Sequence, residues 1–203
     1  MQAKIATWLL KVGAVTLRPS NPFTWSSGIK SPIYCDNRLL ISNPHALQDV
    51  IQGFLSVIRK RKIKCDAIAG VATAGIPYAA ILADRLKKPM LYVRNSAKDH
   101  GKKNQVEGSI EKGARVLVIE DLVSTGRSSL NAISVLREAG TKVDYCLAVF
   151  TYGFPETKKA FLSARCKLFT LTCLDPLLEI ALRQKIIKPE EEKIIRSFVS
   201  SRA

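Results

Sequence analysis

The chain has 203 residues, 47% of them hydrophobic, and a formal charge of +15 at pH 7. That length suits one compact domain, and that composition excludes an extended disordered chain. No apolar run reaches the roughly 18 residues of a membrane-spanning helix, and five cysteines without a C-x-x-C pair, with only two histidines, argue against a zinc site.

The opening MQAKIATWLLKVGAV carries Lys4 and Lys11 inside its apolar pattern. It predicts an amphipathic helix rather than a signal peptide, and hence a cytoplasmic protein with reduced thiols. The next stretch, LRPSNPFTWSSGIKSPIYCDNR, is rich in Pro, Ser and Gly and predicts short strands and turns. NPHALQDVIQGFLSVIRK predicts a helix with Asn43 as N-cap and Pro44 at its first position. From there strands and helices alternate. DAIAGV, MLYV, ARVLVIE, KVDYCLAVF and KLFTL read as strands; GIPYAAILADRLKK, RSSLNAISVLREAG and PETKKAFLSA read as helices. LDPLLEIALRQK and KPEEEKIIRSFVSS close the chain as two further helices. Such alternation predicts an α/β fold with a parallel sheet covered on both faces. One polar segment, Arg94 to Gly113, breaks the rhythm and reads as a long functional loop or a mobile surface loop.

The positive charge is compatible with nucleic acid, an acidic membrane or polyanionic small substrates. Its densest run, Arg59 to Lys64, falls at a helix end, where cations complement the dipole. No aromatic residues interleave with it, so nucleic acid is not the expected partner.

In VLVIEDLVSTGRSS a buried strand leads into Glu120 and Asp121, followed by Ser124, Thr125, Gly126, Arg127, Ser128 and Ser129. Ligands of such sheets bind beyond the carboxyl ends of the strands, and a helix N-terminus preceded by glycine and hydroxyls favours anions. A phosphate beside two carboxylates repels them unless neutral donors lie between. A ribose 5-phosphate meets that condition, with its hydroxyls donating to the acids and its phosphate in the loop. Neither a P-loop nor a dinucleotide fingerprint is present.

The same stretch resembles the PRPP-binding motif of type I phosphoribosyltransferases. FTWSSGIKSPIYCDNR (Phe23 to Arg38), IAGVATAGIP (Ile68 to Pro77) and VRNSAKDHG (Val93 to Gly101) are similar, in the same order, to orotate phosphoribosyltransferases. The resemblance implies a five-stranded parallel core flanked by helices. A small hood lies mainly in residues 1–40 and the core mainly in 41–203 of a single domain. It implies transfer of the phosphoribosyl group from PRPP to orotate, with Mg²⁺ carried by PRPP, in a homodimer whose long loops exchange between subunits. Catalytic roles fall to Asp121, Glu120, Lys98 and His100. PRPP contacts fall to Arg94, Lys98, His100, Glu120, Asp121, Ser124, Thr125, Gly126, Arg127, Ser128, Thr73 and Ala74, and orotate contacts to Lys30, Phe23 and Ser124. Three positions depart from the pattern: Asn95 replaces a common lysine, Arg127 a small residue, and AVFTYGFP lacks an arginine near the base. Orotate's carboxylate is therefore expected to rely on Lys30 and backbone amides. Two other readings stay open on the sequence: a phosphoribosyltransferase for another base, and a PRPP-fold regulator that binds nucleic acid.

Overall fold

The computed structural model describes residues 1–24, 28–94 and 105–201. The first helix, α1 (Gln2–Lys11), is followed by four short strands: β1 (Val15–Leu17), β2 (Phe23–Thr24), β3 (Lys30–Ser31) and β4 (Ile33–Cys35). They pair antiparallel in two small ladders, β1 with β4 and β2 with β3. A 3-10 turn at Asn37–Leu40 leads to α2 (Pro44–Lys60). Asn43 caps α2 as its sequence predicts, its side chain accepting from the Ala46 amide at 3.0 Å.

The core then alternates β5 (Ala67–Val71), α3 (Gly75–Leu86), β6 (Met90–Val93), β7 (Val106–Glu107), β8 (Arg115–Val123), α4 (Arg127–Glu138), β9 (Lys142–Thr151), α5 (Pro155–Ser163) and β10 (Lys167–Cys173). Helices α6 (Leu174–Arg183) and α7 (Pro189–Ser200) end it. The main sheet has the order β10-β9-β8-β5-β6-β7. Its first five strands are parallel, as expected, and β7 adds an antiparallel edge against β6. Two features differ from the sequence expectation. β7 lies inside the segment read as loop, because a two-residue pairing leaves no periodic signal. β8 runs past Glu120 to Val123, since its ladder with β9 continues to the pair Val123–Thr151.

Each face of the sheet carries its own apolar cluster. Ile119, Phe54, Tyr78, Leu82, Leu147 and Leu177 share one, with α1, α2, α3 and α6. Val118, Ile133, Leu136, Cys146 and Phe161 share the other, with α4 and α5. Consecutive residues of a strand point to opposite faces, so Val118 and Ile119 divide between the clusters. Burying a side chain of this size contributes about 1.5–3 kcal/mol, and β8 is apolar and buried from Val116 to Ile119. The strand is thereby held rigid up to Glu120. β5 and β8 are neighbours, yet the chain leaves β5 towards β6 on one side and reaches β8 on the other. That is the topological switch point, and ligand crevices open beyond the carboxyl ends of such strands.

Candidate active site

At the end of β8 the pleat sends Glu120 and Asp121 towards opposite faces. Glu120 is only 4% exposed. Its carboxylate accepts from Ser128 Oγ at 3.2 Å, Ser129 Oγ at 3.0 Å and the Asp121 amide at 3.2 Å. Burial, then the adjacent Asp121 charge, pushes the Glu120 carboxyl up to about 8. Asp121 is half-buried, and its carboxyl is also raised, first by burial. The two groups interact directly although their side chains leave the strand in opposite directions.

Asp121 is tied to the N-terminal region through Asn37. The fully buried Asn37 donates from Nδ2 to the Asp121 carbonyl at 2.7 Å and accepts at its own carbonyl from the Tyr78 hydroxyl at 3.0 Å. Its Oδ1 accepts from Cys35 Sγ at 3.2 Å. Asp36, beside it, is clamped by Arg38 through Nε at 2.6 Å and Nη2 at 2.8 Å. The stretch CDNR therefore bridges the small antiparallel ladders and the end of β8.

The loop after β8 is braced from behind. Thr151 Oγ1 donates to the Val123 carbonyl at 2.7 Å, and Thr157 Oγ1 donates to the Ser124 carbonyl at 2.5 Å. Gly126 has φ +81°, and a Cβ there would lie 2.9 Å from the Phe161 ring, so glycine is required for conformation and for space. α4 begins immediately after it with no side-chain cap and no acid in its first turn. Thr125, Arg127 and Ser128 are exposed at this helix start and Ser124 is half-buried. The Ser128 hydroxyl donates to Glu120 here, so it supports the acid rather than standing free for an anion.

A second helix start faces the same place. α3 follows Thr73 and Ala74 with neither a side-chain cap nor a first-turn acid. A Cβ on Gly75 would lie 2.4 Å from the Ile119 carbonyl and 3.4 Å from Glu120 Cα. Only glycine allows α3 to start this close to β8, and the contact sets the Thr73–Gly75 turn beside the acids. Two helix N-termini thus converge on the end of β8, each offering amide hydrogens and the positive end of a dipole.

Arg94 leaves the end of β6 half-exposed and lies 3.6 Å from Glu107 of β7. Phe23 is half-buried, stacked obliquely on Tyr34 at 5.5 Å and covered by the Arg18 guanidinium at 4.9 Å. Lys30 is exposed on β3, paired opposite Thr24. Lys98 and His100 lie outside the described residues, as does Asn95. Sequence reasoning had no role for Asn37, Tyr78, Glu107, Thr151 or Thr157. Each acts through a partner distant in the chain, apart from Glu107, whose two-residue strand carries no pattern.

The sequence pattern of the phosphoribosyl transferase domain matches residues 40–160. An orotate phosphoribosyltransferase of Bacillus pumilus (strain SAFR-032) is 50% identical over 189 residues, 93% of this chain and 89% of that protein. Among solved structures, orotate phosphoribosyltransferase from Aeropyrum pernix has a TM-score of 0.76 at 36% identity, over 87% of this chain and 97% of that one. Leishmania donovani UMP synthase has a TM-score of 0.82 at 31% identity; the match covers 98% of this chain but only 42% of that longer one.

Proposed function

The chain belongs to the orotate phosphoribosyltransferases of the phosphoribosyl transferase domain family, and from that premise we propose how its residues divide the reaction. The enzyme transfers the 5-phosphoribosyl group of PRPP to orotate, giving orotidine 5′-monophosphate and pyrophosphate on the route to UMP. The new bond joins orotate N1 to C1 of the ribose as the C1–pyrophosphate oxygen bond breaks, with inversion at C1; the N1 proton is released to the pyrophosphate or to water.

In our assignment Ser124 to Ser128 seat the 5-phosphate by backbone amides, the Thr125 hydroxyl and the Arg127 cation. Glu120 and Asp121 receive the ribose hydroxyls, and the negative charge that this acid pair carries lies near C1 as it gains oxocarbenium character. The amides of Thr73, Ala74 and Gly75 take the pyrophosphate end, with Arg94 beside them. Lys98 and His100 reach the same group from the neighbouring subunit of a homodimer, and closure of their loop excludes water. Lys30, Phe23 and Ser124 bound the orotate side, in a hood formed mainly by residues 1–40. Positioning and charge neutralisation supply most of the acceleration, and no covalent nucleophile is required.

Mg²⁺ fits this donor set. Among the described residues no three His, Cys, Asp or Glu side chains gather into a metal-holding group. Asp121 offers a hard oxygen donor, and Asp36 is near enough to raise its proton affinity. Mg²⁺ prefers a few carboxylates together with water and substrate oxygens. Asp121 would help to hold it, and the ion would supply charge neutralisation for the departing pyrophosphate. All five cysteines are free thiols, which suits the cytoplasm as the enzyme's setting.

The observation that supports these roles is the convergence of two helix N-termini on the Glu120–Asp121 end of β8. The test is loss of orotate absorbance with PRPP and Mg²⁺. Asp121→Asn is expected to lower kcat by about 10²–10³-fold with the fold intact; near-normal turnover would remove Asp121 from the mechanism. Turnover of a purine but not of orotate would overturn the base assignment.

A further inference from the structure

Part of the surplus positive charge lies away from the assigned substrate site. The five parallel strands begin on the rim opposite the acids, and each start carries an exposed cation. These are Lys167 on β10, Lys142 on β9, Arg115 on β8, and Lys64 and Lys88 on the segments entering β5 and β6. Strand order makes them neighbours in that sequence. With adjacent strands about 4.8 Å apart, the row is roughly 19 Å long. Lys64, Lys88 and Arg115 also wall a cleft of 300 Å³. Among the described residues the acids of this rim are Asp66, Asp84, Glu111, Glu138 and Asp144. Asp66 is occupied by Arg115 at 2.7 Å, and Asp84 by Lys87 at 2.8 Å.

Helix dipoles account for Arg59 and Lys60 at the end of α2, but strand starts have no comparable dipole. Substrate steering does not account for the row either. Along β8, Arg115 is roughly 17 Å from Glu120, about two Debye lengths at physiological ionic strength. Membrane insertion is poorly served, because among the described residues the large exposed apolar side chains, Leu162 and Ile186 among them, are few and far apart in the chain. At one end of the row the Arg61 guanidinium lies 4.8 Å over the Phe169 ring, which stacks on Tyr145 at 6.3 Å. Chain order conceals this group; the sheet assembles it. Its outer guanidinium face is suited to stacking on a base.

We propose that the strand-start rim binds single-stranded nucleic acid through its phosphates, separately from phosphoribosyl transfer. The strands of the sheet rotate by about 20–25° at each step, so the row follows a helical path. A flexible single strand can follow it; a stiff duplex touches only part of it.

The test is fluorescence anisotropy of the full chain with a labelled 20-nucleotide polyuridylate. With Arg115 engaged by Asp66, phosphate contacts from the four lysines of the row give a slope of about −2.8 in log K against log salt, so affinity falls about 50-fold from 50 to 200 mM salt. Lys64→Glu/Lys142→Glu/Lys167→Glu is expected to weaken binding at least tenfold while orotate turnover stays unchanged. The neutral pair Lys142→Gln/Lys167→Gln gives a smaller loss in the same direction and serves if the triple variant does not fold. Saturating PRPP with Mg²⁺ leaves the RNA bound. Displacement by PRPP, undiminished binding in both variants, tighter binding of a matched duplex, or preference for phosphatidylglycerol vesicles over RNA would each overturn the proposal.

Discussion

Glu120 is a carboxyl group placed where water scarcely reaches, with a second acid next in the chain. Burial and that neighbour raise it from 4.5 to about 8, so the folded, ligand-free protein keeps a proton that the unfolded chain releases. The stability it contributes is therefore complete below pH 4.5 and is lost as pH rises towards 8. The thermal midpoint of ligand-free protein should fall from pH 5 to 8.5, and Glu120→Gln should flatten that slope; parallel curves would mean that Glu120 is ionised throughout. Ser129 is the neighbour that sequence inspection places least well. Its hydroxyl looks like one more anion donor in a serine-rich loop, yet it turns inward to the acid at 3.0 Å. Side-chain direction at a helix start depends on the packing of the first turn, and a string of residues does not reveal it.

At the level of elements, the phosphate loop depends on α5 and β9. Thr157, in the first turn of α5, and Thr151, at the end of β9, hold two successive loop carbonyls. With those carbonyls engaged behind the loop, its amides are left for the sugar phosphate that we assign to it. Thr157→Val should raise KM for PRPP about fivefold, the equivalent of about 1 kcal/mol for one such bond, with KM for orotate little changed. Thr157→Ser should restore it, and an equal rise in both KM values would point to general loosening instead. Periodicity made the long elements legible: α2 with its Asn43 cap, the buried β8, and α4 ending just before Gly140, whose φ is +89°. It could not reveal β7, which pairs over two residues, or the Asn37–Asp121 bond, which spans 84 positions. The acids and the glycine loop were legible because their chemistry is local. Their supports were not, because tertiary packing brings those together.

For the whole molecule, the assigned loop exchange makes each site a product of two chains. Lys98→Ala and Asp121→Asn proteins, each inactive alone, should recover activity on mixing, because one pairing of subunits restores an intact loop over an intact acid pair. Subunit exchange without recovery would place the loop over its own chain's site. Assembly of the single chain also has a fixed order in time. α1 leaves the ribosome well before β10 and α6, yet its buried Ile5 and Leu9 rest in the apolar cluster that Leu171 of β10 and Leu177 of α6 complete. Through most of translation that greasy stripe has only the partial cover of α2, β1 and the turn at Asn37–Leu40. A nascent chain stalled before β10 should be held by chaperones or degraded by proteases, and the fold closes only when β10 and α6 arrive.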